Sequence, residues 1–330
     1  MSISVIKPGL LDTIQDIGRY GYAKWGINPG GAMDVFAAKV ANILVGNCPN
    51  ESVLEIHFPG PQLLFEQNTL ISLTGANFSP TLNDEPLKLW QPVVVRKNTV
   101  LHFPKLRSGA RCYVAVHGGF CIEKWLDSYS TNLKAGAGGW FGRQLKKGDD
   151  LTFKENTIYF AGLLDAQNNK KELPWHADER STYDNLHEIL MIPGNEWEDL
   201  TDNSQKDFLK NDFMIHHSSD RMGYQFNGEK LVMKNNSELI SSGVSFGTIQ
   251  LLPDGHMIVL MADHQITGGY PRIGHVISAH LHKLAQLRQK EIVRFRMTDI
   301  RTAEELLFLQ QRQLQILQRA CTDHLNQLIC

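Results

Sequence analysis

Short β-prone runs, each closed by turn residues, recur roughly every ten residues in the first half of the chain, and this rhythm limits the folds open to it. Val93–Arg96, Val100–Phe103, Arg111–Val116 and Leu151–Phe153 are such runs. Spacing this short leaves no room for alternating βαβ units, so the pattern predicts a barrel or sandwich. One helix interrupts it early. Phe36, Ala37, Val40, Ala41 and Leu44 recur at helical spacing, which predicts a helix over Met33–Val45 that Gly46 stops.

The polar stretch Gln167–Asn185 reads as a linker, and Leu186–Ile192 restarts as a strand that Pro193 and Gly194 end. The expected organisation is a first β-rich lobe over 1–166, a linker over 167–185, a second lobe over 186–300 and a C-terminal helix over 301–330. The halves echo each other. Gly60–Phe65 is similar to Gly247–Leu252, Val114–Phe120 to Leu260–Tyr270, and Leu145–Phe153 to Leu287–Phe295, in the same order but at differing offsets. A duplicated lobe with an insertion in the first copy explains this; so does chance similarity between short strands. In the tail, Thr302 and Glu305 make a capping-box pattern, followed by Leu307, Leu314, Leu317, Cys321, Leu325 and Leu328 at spacings of a long amphipathic helix. Such a helix docks on its own body or on another chain, a homo-oligomer contact included.

Composition excludes several classes. Thirty-three basic against 35 acidic residues leave a net charge of −2, so neither nucleic acid nor an anionic membrane has a general electrostatic hold on the chain. The longest clearly apolar run, Met257–Ala262, is far too short to span a bilayer, and no secretory signal is legible at the N-terminus. Five scattered cysteines with no CxxC pair fit reduced thiols and a cytoplasmic location.

Self-sufficient catalytic motifs are missing. There is no GxxxxGK[ST] loop; Gly136–Gly142 is glycine-rich but lacks the Lys-Ser/Thr pair, and Phe141 stands where a dinucleotide fingerprint needs glycine. His216, His217, His275, His280 and His282 form no HExxH, and no metal site is expected. Leu231–Lys234 is similar to the Met-Lys core of a biotin-attachment site, but Asn235 follows instead of Met and a carrier domain is lacking. Ser241, Ser242 and Ser245 have no GxSxG context, and Cys112 lies in a β-prone run that suits the core better than catalysis.

More informative are four stretches in which charged residues sit among glycines: Gln15–Gly21, Gly30–Asp34, Ser218–Tyr224 and Met261–Arg272. Any one of them could be a structural turn. Four together suggest an assembled polar pocket, because glycine lets backbone approach a ligand closely and Arg holds a carboxylate or phosphate through two N–H groups.

The stretches Lys7–Leu11, Gln15–Tyr22, Gly31–Asp34, Ala41–Asn47, Leu54–Ile56, Ser219–Tyr224, Ser242–Val244, Gly247–Gln250 and Gly268–Arg272 resemble the KipA-like family. Its members are also called the C subunit of 5-oxoprolinase, and they are similar to the carboxyltransferase domain of urea carboxylase. The resemblance runs from about Ser4 to Phe295 and leaves the tail outside. It implies a mainly β fold of two tandem cyclophilin-like β-barrel lobes with a ligand cleft, to which the long C-terminal α-helix is added. It implies a hydrolase subunit that opens 5-oxoproline to glutamate using ATP, in a multi-subunit complex with a KipI-like B subunit and a third subunit, and inactive alone. A ring amide is a poor electrophile, and phosphorylating its carbonyl oxygen prepares the carbon for attack by water. ATP is expected at the KipI-like partner. The alternatives are a biotin-dependent carboxyltransferase acting on urea or a similar amide, and a regulatory binding protein that restrains a histidine kinase with a KipI-like partner.

Within the span of the resemblance Asp220, Arg221 and Asp263 are the expected catalytic residues, with Arg19, Asp34, Gln250, Gln265 and Tyr270 binding the substrate. A clamping role predicts that Arg221→Ala and Asp263→Asn melt nearly normally while activity falls about a hundredfold. Tyr129 stands where the family often has Arg, Ile266 replaces Thr, His280 replaces Asp, and Gln289-Lys290 replaces a Pro-Gly turn.

Overall fold

The structure is a computed structural model that describes residues 2–154, 170–178, 183–235 and 239–329. The chain divides into two compact units. The first contains Met1–Arg19, Asp34–Thr182 and Gln311–Cys330; the second contains Tyr20–Met33 and Tyr183–Gln310. The fold is mainly β, as the turn-bounded runs predict.

Two six-stranded sheets build the first unit. One runs in the order Asp150–Thr152, Ser2–Lys7, Gln62–Phe65, Thr99–His102, Thr81–Leu82, Glu85–Pro86. The other runs Lys170–Glu172, Pro92–Val95, Thr69–Asn77, Ser108–Val116, Val53–His57, Asp12–Gln15. The lobe is thus a pair of sheets where a barrel was expected. Ile3, Val5, Leu63, Phe65, Ile71, Leu73, Val114 and Val116 alternate inward along their strands and share one core. Thr69–Asn77 and Ser108–Val116 lie mid-sheet, and their other face is also covered. There the expected helix, Val35–Leu44, packs, and its carbonyls at Ala41 and Ala37 accept hydrogen bonds from Ser72 Oγ (2.6 Å) and Thr74 Oγ1 (2.7 Å). Those two buried hydroxyls are thereby satisfied.

The second unit is a closed barrel of seven strands: Glu188–Pro193, Arg272–Val276, Thr248–Leu251, Met257–Leu260, Gly223–Asn227, Phe213–Ile215 and Ile292–Met297. Val293 and Phe295 point inward from the last strand, and Phe295 packs against Phe208, Phe213 and Phe226. Met33 joins this core, which is why residues 20–33 belong to the second unit despite their early position.

Three further expectations change. Lys170–Glu172, inside the expected linker, form a strand paired with Val93–Val95, because an edge strand with unpaired N–H groups accepts even a polar segment; the linker positions 167–169 and 179–182 lie outside the described residues. The echoed segments Gly60–Phe65 and Gly247–Leu252 both fall on strands, as do Val114–Phe120 and Leu260–Tyr270 at least in part. Yet Thr248–Leu251 neighbours Met257–Leu260, whereas Gln62–Phe65 and Ser108–Val116 lie in different sheets, so the echo does not repeat strand pairing. Finally, the C-terminal helix spans Ile300–Ile329 and is capped by Asp299, which accepts from Thr302 N at 2.7 Å, in place of the expected Thr302 cap. Among the described residues, no helix is long and apolar enough to cross a membrane.

Candidate functional site

Two of the four glycine-bounded stretches, Ser218–Tyr224 and Met261–Arg272, meet in the second unit. Asp220 is exposed, and its Oδ1 accepts from Met222 N (2.7 Å) and Gly223 N (3.3 Å), closing the turn that feeds Gly223–Asn227. Its carboxylate is engaged by its own turn. The next residue, Arg221, is 6% exposed and grips Asp263 through two parallel bonds, Nε to Oδ2 at 2.8 Å and Nη2 to Oδ1 at 3.0 Å. Nη2 also donates to Gly31 O at 2.6 Å, which brings the second glycine stretch to the same place. Backbone bonds from Asp263 N to Arg221 O and from Met261 N to Met222 O run alongside. Arg221, Asp263 and Gly31 therefore form one fixed knot.

Beside this loop stands Gln250, 1% exposed on the strand Thr248–Leu251. Its Oε1 faces Gln265 Nε2 at 3.5 Å, and its Nε2 has no hydrogen-bond partner among the described residues. Gly268 makes this position possible: a Cβ there would lie 2.5 Å from Gln250 Nε2. Gly268 belongs to a two-stranded ribbon, Ser242–Gly243 with Thr267–Gly268.

Tyr270 faces a different feature. It lines an open cleft of about 710 Å³ together with Glu196, Leu231, Met233, Leu251 and Gly269. Glu196 binds Arg272 three times, at Nε (3.2 Å), Nη2 (2.9 Å) and the backbone N (2.8 Å), while Arg272 Nη1 donates to Ser242 Oγ at 2.9 Å. Burial pushes the Glu196 carboxyl up, but the Arg272 hydrogen bonds outweigh it and hold the group below its ordinary range. His275, 3.3 Å from Thr248 Oγ1, is pushed down by burial and then by the charge of Arg272; burial also lowers His264. Both imidazoles are therefore held toward the neutral form.

Arg19 and Asp34 belong to the first unit and are engaged there. Arg19 is 1% exposed, donates to Ser130 O and lies 4.7 Å from the Trp125 ring. Asp34 is fully buried, its Oδ1 capping the helix at Ala37 N (2.8 Å) and its N–H donating to Tyr113 Oη. Tyr113 in turn donates to Glu55. Both residues thus carry internal bonds, and neither is open to solvent.

Sequence reasoning gave no individual role to Asp16, Glu55, Glu196 or Arg272, although Asp16 and Arg272 lie in the glycine-bounded stretches. Asp16 accepts from Gly18 N, Ser128 Oγ and Tyr129 N at 2.7–2.8 Å. Tyr129 offers that carboxylate its backbone N–H, so a side chain other than Arg leaves the turn intact; its ring lies 4.9 Å from Lys124 Nζ. Glu55 was visible as an acid between two strand apolars, and Glu196 as the acid just after the Pro193-Gly194 turn. The other candidates resolve as structure. Lys234 is exposed and its Nζ donates to Glu198 O at 2.9 Å, and burial raises the Cys112 thiol far above reactivity. No group of three or more His, Cys, Asp or Glu that could hold a metal occurs among the described residues.

Known proteins match almost the whole chain. A model of the carboxyltransferase domain, subdomain A and B, matches residues 25–297. The C subunit of the Haemophilus influenzae 5-oxoprolinase is 35% identical over 294 residues, which cover 89% of this chain and 90% of that protein. That of Escherichia coli is 34% identical over 293 residues, with the same coverage. The crystal structure of the K. lactis urea amidolyase superposes with a TM-score of 0.84 at 27% identity, covering 96% of this chain but only 20% of that one.

Proposed function

Because the chain belongs to the carboxyltransferase-domain family, subdomains A and B, we propose that it serves as the C subunit of an ATP-dependent 5-oxoprolinase, opening 5-oxoproline to glutamate with a KipI-like B subunit and a third subunit. The observation that carries this reading is the match to the C subunit of a 5-oxoprolinase at 35% identity over nine-tenths of both chains.

Gln250 is the group best suited to the substrate. A lactam presents one C=O acceptor and one N–H donor side by side, and a primary carboxamide presents the complementary pair. Gln250 offers an unpartnered Nε2 donor and an Oε1 with only a long contact. Gln265 and Gly268 flank it, and Tyr270 lines the neighbouring cleft as a further substrate contact. Arg221 and Asp263 act as positioning residues, because their mutual bonds fix the 261–265 loop next to Gln250.

The reading places ATP with the partner subunits. The Gly136–Gly142 loop lacks a phosphate-binding Lys-Ser/Thr pair, and Arg221 and Arg272 are each committed to a carboxylate. In this reading the present chain contributes substrate recognition in a preorganised polar site.

Urea carboxylation, using biotin carried on another chain, is the second reading, favoured by 28% identity to the Lachancea kluyveri urea amidolyase over 92% of this chain. One experiment separates the two. The purified chain, alone and with its co-expressed KipI-like and third-subunit partners, is supplied with ATP and 5-oxoproline, and glutamate is measured. Glutamate should form only in the assembly. Glutamate formation by the single chain, or none in the assembly while a biotin carboxylase and carrier restore urea carboxylation, would overturn the proposal.

A further inference from the structure

The C-terminal helix Ile300–Ile329 begins beyond the family match, which ends at residue 297, and carries two unlike faces. Toward its end the inner face is covered: Cys321 and Leu325 are 1% and 4% exposed, and Leu314 and Leu317 line a cavity of about 320 Å³ with Phe36, Val40 and Trp90. The opposite face is open. Arg301, Glu305, Phe308, Arg312, Ile316, Arg319 and Asp323 follow one another at steps of 4, 3, 4, 4, 3 and 4 residues, and all seven are exposed. At about 100° per residue these steps keep the set on one narrow stripe. Phe308 and Ile316, 65% and 58% exposed, are its apolar members, and Leu309, 53% exposed, flanks them.

The stripe is complementary to itself when reversed. Arg301 and Asp323 lie 11 residues either side of Arg312, Glu305 and Arg319 lie 7 either side, and Phe308 and Ile316 lie 4 either side. We propose that this face pairs with the same face of a second copy of the chain, antiparallel, with the two-fold axis at Arg312. Each Arg301 then meets Asp323 of the second copy, each Glu305 meets Arg319, and each Phe308 packs on Ile316. Parallel pairing would set every charge of the stripe against its like, so charge fixes the orientation. Within one chain Arg301 already contacts Glu305 at 3.1 Å, and the paired helices extend that contact into a row of alternating sign. The only like-charged contact along the stripe is Arg312 with its own symmetry mate, which weakens the pair while marking its register. The apolar content is small and the charges are exposed, so the dimer is a reversible one.

Sedimentation velocity on the full chain tests this, over about 1–200 µM because mass action governs the association. A monomer–dimer equilibrium is expected, and Phe308→Ala with Ile316→Ala should leave monomer throughout. Glu305→Arg and Arg319→Glu should each weaken the dimer about tenfold or more, one such factor being 1.4 kcal/mol, and the double exchange should restore it. Arg312→Leu should tighten it. Arg312→Cys, in a background with Cys48, Cys121 and Cys330 replaced by serine, should form a symmetric disulfide. Arg301→Cys in the same background should not, because its two copies would stand roughly 33 Å apart along the antiparallel pair. All the helix positions varied here are exposed, and unchanged circular dichroism verifies the fold. A protein monomeric at every concentration, a dimer indifferent to the charge exchanges, or a double exchange no better than the single ones overturns the proposal. So does a helix that crosslinks only to a different protein.

Discussion

Gln250 holds a buried amide donor with no partner among the described residues, and a buried donor left unsatisfied costs about 1–3 kcal/mol in general. Gln250→Met keeps the volume and removes that donor. The variant should melt at the same or a higher temperature, while the assembled enzyme shows a KM for 5-oxoproline raised on the order of tenfold. Unchanged kinetics would remove Gln250 from the site. The Arg221–Asp263 pair behaves in the opposite way. The sequence pattern predicts that its loss spares stability, but Arg221 is buried and Asp263 is its main compensating charge. Asp263→Asn should therefore lower unfolding free energy in urea by about 3 kcal/mol, whereas Asp220→Asn should change it little, since the Asp220 turn is open to solvent. Equal melting of wild type and Asp263→Asn would restore the clamping reading.

Asp12 gives the clearest pH dependence. Burial pushes its carboxyl from the ordinary 3.8 to about 7, opposed by the bond from Gly9 N at 2.5 Å. Between those values the folded chain holds a proton that the unfolded chain has lost, so stability falls as pH rises through the window and the loss is complete above it. Asp12→Asn removes that slope. Its melting temperature relative to wild type should rise between pH 4.5 and 8 by about 5 °C or more; a constant difference would show that Asp12 does not titrate there. His280 runs the other way. Its Nδ1 accepts from Leu190 N at 3.0 Å, and burial, with Lys283 and His282, lowers it from 6.5 to about 3. Its contribution is present above 6.5 and fades as pH falls toward 3. The position needs an acceptor for Leu190 N, which imidazole supplies as an aspartate oxygen would.

Among the elements, helix starts show how far local pattern carries. Val35–Leu44 lies where its apolar spacing predicts, and Asp34 caps it. At the tail, Thr302 and Glu305 match a capping box, yet the helix begins one turn earlier because Asp299 already satisfies Thr302 N. Asp299→Ala should fray the first turn, seen as faster amide hydrogen exchange at 300–303, and Thr302→Ala should not. The reverse result would return the cap to Thr302. The strand at Lys170–Glu172 was illegible for a different reason. Its residues carry no apolar alternation, and only the open edge at Val93–Val95 draws them into a sheet.

For the whole molecule, the end of the C-terminal helix and the first unit are joined by specific packing. Leu325 fills the space over Gly46, where an added Cβ would lie 2.4 Å from it, and His324 stacks on Trp175 at 5.2 Å. Truncation after Asp299 uncovers these partners together with Cys321, each buried side chain being worth roughly 1.5–3 kcal/mol. The melting temperature should fall by about 10 °C, with 5-oxoproline turnover by the assembly retained at low temperature. Lost turnover in a truncated chain that remains folded would place the helix in the active assembly.

The β class, the early helix, the long tail and the two glycine stretches that meet at Arg221 were all determined by sequence alone, because each is written in local periodicity or in residue types with strong backbone preferences. Pairing was not. Nothing near Asp16 announces Ser128 and Ser130, nothing near Glu196 announces Arg272, and residues 20–33 give no sign that they join a core built mainly after residue 183. Those choices were made by tertiary structure, since a buried polar group takes whichever partner the fold delivers to it, and chain distance does not limit that choice. For the same reason Arg19 and Asp34 make internal bonds that nothing in the sequence announces, while the buried Gln250 Nε2 lies against Gly268 with no partner among the described residues.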